Sequence, residues 1–152
     1  MELGMNGIGW ALGALMMGGT AWAEEPPAHQ VVHYTDADRR QTPSGKAAVY
    51  RIAGKQEGAQ NAFFAVLEIQ PGAKVPVHRD ATEEYIFIQA GSGTITIDGK
   101  VHAVQPGTGV FMPANAEVSF EATGEVPVLA VQFFAGQGPE AKYDKWVSEP
   151  AK

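Results

Sequence analysis

The stretch Pro76–Phe87, PVHRDATEEYIF, sets His78, Asp80, Glu83 and Glu84 close together between apolar residues. An imidazole beside carboxylates can bind a divalent cation or trade protons as general acid and base. It can also be no more than a solvated bend between strands, and the residue types alone leave all three readings open. In extended chain, side chains at i and i+2 share a face, so His78 and Asp80 project to the same side. Glu84 and Ile86 share a face beyond the bend.

Composition narrows the chemistry. The 152 residues include no cysteine and four histidines, His29, His33, His78 and His102. Disulfides, thiolate nucleophiles and thiolate-ligated metals are therefore excluded, and any metal must sit among imidazole and carboxylate ligands. His102 follows a hairpin and reads as an exposed strand residue; His29 and His33 precede the strand pattern. Net charge is −6 with no basic cluster beyond Arg39-Arg40, so a nucleic-acid partner is not expected. Hydrophobic residues make up 45% and charged residues 18%, the balance of a packed globular chain.

The elements that must position these groups read as strands. AAVYRIAG (Ala47–Gly54), NAFFAVLEIQ (Asn61–Gln70), EYIFIQ (Glu84–Gln89) and TITIDGKVHAV (Thr94–Val104) are rich in strand formers and end at glycine or proline turns. Asp98-Gly99 between two alternating segments is a strong hairpin signal, because both residues tolerate positive φ. GVFMPA, EVSFEATG and PVLAVQFFAG complete the series. Short strands without crossover helices predict an all-β antiparallel sandwich or barrel. A short C-terminal helix is expected over Pro139–Trp146, with proline in its first turn. Tyr143 and Trp146 there read as packing at a barrel edge or an interface.

The spacing of Gly72, His78, Asp80, Glu84 and Gly91 resembles the first signature of the cupin family, G-x5-H-x-H-x3-E-x6-G. Gly107, Pro113, Asn115 and Val118 similarly resemble the second, G-x5-P-x-G-x2-H. The resemblance spans about residues 62–134. It implies a double-stranded β-helix, the cupin or jelly-roll barrel, often dimeric, so a homodimer is expected. It also implies a ligand set. His78 and Glu84 stand at two of the four family ligands, Asp80 replaces the second histidine, and Val118 replaces the last. Asn115 replaces a glycine but tolerates positive φ. A metal held by His78, Asp80 and Glu84 is thus expected to be weak, with Mn, Fe or Zn suited to one nitrogen and two carboxylates. Phe111 or Met112, with Val118, is expected to make the pocket apolar. Gln132, which interrupts LAVQFF, faces either the pocket or the outside.

The N-terminus looks exported. Ile8–Gly19 is an apolar run followed by Ala21-Trp22-Ala23, an A-x-A pattern, although the preceding MELGMNG carries no basic residue. The expected organisation is a signal peptide at 1–23, an extension with first strands at 24–60, a barrel core at 61–136 and a tail at 137–152. A periplasmic or secreted protein with no integral membrane span after cleavage follows. The functional expectation is a barrel that binds a small molecule and a weakly held divalent metal; the alternative is a metal-dependent enzyme of oxygenase, isomerase or lyase type. Proton chemistry without metal at His78 or Glu84 is a third reading.

Overall fold

The computed structural model describes residues 29–148. The expected signal at 1–23 lies outside the described residues. Among the described residues, eleven strands form two antiparallel sheets. The larger sheet takes β1 (Asp38–Gln41), β2 (Ala47–Ala53), β3 (Phe63–Ile69), β5 (Glu83–Ala90), β8 (Gly109–Met112), β10 (Val128–Ala135) and β11 (Val147–Ser148). Its order is β11-β1-β2-β3-β10-β5-β8. The smaller sheet takes β4 (Lys74–His78), β6 (Gly93–Ile97), β7 (Lys100–Val104) and β9 (Val118–Ala122), in the order β4-β9-β6-β7. This is the all-β double-stranded barrel that the cupin resemblance implies.

Period-two alternation builds the interior. Along β10, Val128, Ala130, Gln132 and Phe134 are buried while Phe133 and Ala135 are exposed. Along β5, Glu84 and Ile88 are buried and Glu83, Tyr85 and Phe87 are exposed. Side chains from both sheets meet in a cluster that includes Ile69, Ile88, Ile95, Met112, Val118, Val128 and Ala130. Burying each of the valine, isoleucine and methionine side chains among them stabilises the fold by about 1.5–3 kcal/mol. A second cluster of Val49, Phe63, Ala65, Phe134 and Tyr143 seals one end.

Turn chemistry sets the registers. Asp98 (φ 46°) and Gly99 (φ 78°) close the β6–β7 hairpin, as their residue types predict. Gly91 has φ 73°, and a Cβ there would lie 2.5 Å from the Pro127 carbonyl oxygen. Asn115, at the place where the family signature has glycine, adopts φ 64°, a left-handed conformation that asparagine tolerates. The C-terminal helix is a 3-10 helix over Pro139–Lys145, shorter and tighter than an α-helix. No helix among the described residues is long and apolar enough to cross a membrane.

Candidate metal centre in the barrel cavity

The barrel encloses a cavity of about 760 Å³. Its walls are aliphatic, with Leu67, Ile86, Ile95, Val104 and Val128 among them, and His78, Asp80 and Glu84 open into it together. Each offers a ligand atom, and those atoms lie within 4.8 Å of one another. Three elements bring them there. His78 ends β4, just past a bulge against β9 between Val75 and His78. Asp80 lies beyond the strand, in the bend, with its backbone carbonyl accepting from the Asn115 N–H at 2.7 Å. Arg79, between them, points outward and donates to the Asn115 carbonyl and to Glu117 at 2.6 and 2.8 Å. That clamp joins the bend to the turn of the second signature. Glu84 enters from β5, where Met112 and Phe134 are its register partners.

The tautomer of His78 follows from its surroundings. Its Nδ1–H donates to the Pro76 carbonyl at 2.9 Å, so the neutral ring presents an unprotonated Nε2 to the cavity. Nε2 lies 3.5 Å from an Asp80 oxygen. That carboxylate raises the pKa of His78 against the opposing effect of the ring's partial burial. Burial pushes Asp80 up, but hydrogen bonds from His78, in its imidazolium form, and from Lys142 outweigh it and hold the carboxyl below its ordinary value. Glu84 is 7% exposed. Burial raises its pKa, with the Gln132 hydrogen bond opposing. Two carboxyls a few residues apart are thus driven in opposite directions, one towards the carboxylate and one towards the acid.

Gln132 faces the cavity and is 2% exposed. Its Nε2 donates to Glu84 Oε1 at 2.6 Å, and its Oε1 accepts from the Tyr143 hydroxyl at 2.9 Å. Glu84 is therefore fixed by a relay that ends in the C-terminal turn. Val118 also lines the cavity, directly across from His78 in the β4–β9 register. It presents methyl groups where a fourth donor would stand.

Phe111 corrects one expectation. Met112 is inward and 2% exposed, whereas Phe111 is 52% exposed on the outer face. Alternation allows only one of two neighbours inside, and the pairing of Met112 with Glu84 decides which. Phe111 instead packs on Tyr85, ring centroids 5.2 Å apart. His102 is exposed on β7, and the ring of His33 caps a short 3-10 turn at Tyr34–Asp36, so neither joins the cluster. His29 is exposed as well.

A cupin domain model matches residues 65–134, the span that supplies Glu84, Gln132, Val118, His78 and Asp80. The chain carries a cupin domain. Among curated relatives, Protein SchB of Streptomyces halstedii is 29% identical over 75 residues, which cover 49% of this chain and 54% of that protein. Dimethylsulfoniopropionate lyase DddW of Ruegeria pomeroyi is 30% identical over 66 residues, 43% of each chain. The chain thus spans about half the length of these curated relatives. Among solved structures, the polyketide cyclase RemF from Streptomyces resistomycificus superposes with a TM-score of 0.64 at 19% identity, covering 73% of this chain and 82% of its own. An RmlC-like cupin from Shewanella frigidimarina gives 0.62 at 10% identity, covering 76% and 99%. At such identities these likenesses carry the fold alone.

The donor set of this domain can hold an ion: an imidazole whose Nε2 is free of its proton when the ring is neutral, and two carboxylates within reach. Lys142, which the sequence did not single out, donates to both Asp80 oxygens at 2.9 and 2.8 Å. Tyr143, expected only to pack, both packs and ends the hydrogen-bond relay to Glu84. No local pattern announces either role, because both depend on where a short turn lands after a chain reversal.

Proposed function

We propose that this cupin binds a small, largely apolar molecule in its barrel, with the ligand's polar group meeting His78, Asp80 and Glu84. The observation that carries the reading is the 760 Å³ aliphatic cavity into which all three groups open. A cavity of that size encloses a drug-sized molecule, and a few convergent polar groups in apolar walls orient such a ligand. His78, Asp80 and Glu84 would also hold a divalent Mn, Fe or Zn ion weakly. A bound ion would supply Lewis acidity to a ligand oxygen. The chain's own contributions are separate from it. Val118 and Met112 exclude water, Gln132 orients Glu84, and Pro76 holds the His78 ring.

Metal-dependent lyase-type chemistry is the second reading, supported by three donors that leave coordination positions open and by the similarity to the lyase DddW. Export is part of the proposal, supported by the apolar run and A-x-A pattern before Glu24. A second copy of the chain is the proposed partner, supported by exposed Tyr85, Phe87, Phe111 and Phe133 beside the edge strand β8.

The test is elemental analysis and thermal shift on the full chain beside His78→Ala and Glu84→Ala. Metal retained by the unaltered protein and lost by both variants supports the cation reading; no uptake of Mn, Fe or Zn sinks it. The cavity is probed separately with anilinonaphthalene sulfonate, whose emission should rise on binding and fall when Ala130→Phe fills the barrel. Absence of probe binding sinks the pocket reading.

A further inference from the structure

Lys142 reaches Asp80 from 62 positions further along the chain, and the 3-10 turn that carries it is held on several sides. Tyr143 is 4% exposed and stacks on Phe63 with centroids 5.9 Å apart. Asp144 accepts from the buried Arg51 Nη1 at 2.8 Å. Trp146 packs edge-on against Tyr143 at 5.0 Å. Between these anchors the Lys142 ammonium sits 4.9 Å from the Phe134 ring centroid, a cation–π distance. The pair is partly dry: the Asp80 side chain is 12% exposed and that of Lys142 is 35% exposed.

Two charge-assisted bonds to one carboxylate engage both of its oxygens. One of those oxygens is the ligand atom that a cation between His78 and Glu84 would take from Asp80, and neither is free of the ammonium. A divalent ion and an ammonium on the same carboxylate repel each other, strongly where water is scarce. We propose that Lys142 is the resident cation of this site, and that a divalent metal binds only by displacing it from Asp80. The proposal rests on the cation reading of His78, Asp80 and Glu84 given above, and goes beyond it by assigning the competitor. Lys142 is sufficiently exposed to swing into solvent when displaced. Coupling is reciprocal: whatever fixes the C-terminal turn weakens the metal, and the metal loosens the lysine. With Val118 giving no donor, the ammonium meets a three-ligand centre that is already weak.

Calorimetric titration of the full chain with Mn²⁺ and Zn²⁺ tests this, beside Lys142→Met and Lys142→Arg. Methionine keeps an apolar stem over Phe134 and removes the charge. Lys142→Met should bind metal about tenfold tighter or more, the ordinary size of a coupling between sites, and Lys142→Arg should stay near the unaltered chain. Equal or weaker binding by Lys142→Met overturns the proposal while leaving the cation reading intact, since metal is still bound. No binding by any of the three proteins overturns both. A second measurement uses the unaltered chain alone and does not depend on a variant folding. Acetylation of Lys142 by an N-hydroxysuccinimide ester, read by peptide mass against exposed Lys46, should accelerate when Zn²⁺ is added. A bound ion with an unchanged Lys142 rate overturns the proposal.

Discussion

Val118 is the register partner of His78 across β4 and β9, so a side chain at position 118 stands beside the imidazole at the cavity wall. Valine fills that place with methyl groups and is 8% exposed. Val118→His would put a second imidazole within reach of the cluster without altering any present donor. Metal affinity should rise by about tenfold or more, because imidazole is a better ligand than the water it displaces. Titration with Zn²⁺ and Mn²⁺ reads the change. Unchanged affinity would mean that position 118 points past the cluster despite its register.

Gln132 bridges Glu84 and Tyr143, and all three side chains are buried. Gln132→Leu keeps the volume and removes both bonds, leaving a carboxyl oxygen and a phenol without partners. Stranding buried polar groups costs about 1–3 kcal/mol each. Denaturant unfolding should therefore show a lower midpoint with an unchanged slope. A midpoint equal to that of the unaltered chain would show that water replaces the glutamine at no cost.

The parts of this structure legible in the sequence are those fixed by local rules. Asp98-Gly99 and Asn115 stand where the backbone needs positive φ, and the spacing from His78 to Glu84 fixes which of the paired glutamates is buried. Phe111 and Met112 could not be separated that way. Both are apolar, and β8 is only four residues long, too short for alternation to declare its own parity. The parity comes from pairing with β5, a non-local fact. Gln132 could be assigned inside only once its partners Glu84 and Tyr143 were in place. Lys142 was illegible for the same reason: a charged residue in KYDKW looks like a solvated face until the turn packs on Phe63 and aims it at Asp80.

The outward rings form a surface of their own. Tyr85, Phe87, Phe111 and Phe133 are 41, 49, 52 and 38% exposed, on adjacent strands that end the larger sheet at β8. An edge strand with unpaired backbone groups beside exposed aromatics is a natural seam for a second copy. Phe111→Glu should convert a dimer to a monomer in sedimentation, leaving anilinonaphthalene sulfonate binding in the barrel intact because the side chain points away from it. A monomer before the substitution removes this assignment of the face.

The pH dependence of stability in the metal-free protein follows from the signs of the shifts. Glu84 is raised by burial above its reference of 4.5, so the folded chain holds that proton more tightly than the unfolded chain. Its contribution is complete below that reference and is lost as pH rises through the folded pKa. His78 is raised above 6.5 chiefly by its bond to Asp80, so its contribution is likewise lost as pH rises through its own folded pKa. Asp80 is lowered below 3.8, since the bonds from His78 and Lys142 outweigh its burial, and its contribution is lost only as pH falls through its folded pKa. Stability should therefore be greatest on the acid side and decline as pH rises through the folded pKa values of Glu84 and His78. Glu84→Gln removes the Glu84 contribution to that decline and keeps the His78 contribution, because the amide stays neutral throughout. Unfolding free energies measured by denaturant across the acid-to-neutral range give the comparison. A profile for Glu84→Gln that parallels the unaltered chain would show that Glu84 ionises in the barrel as freely as in water, and with it would go the argument that the cavity favours the protonated acid.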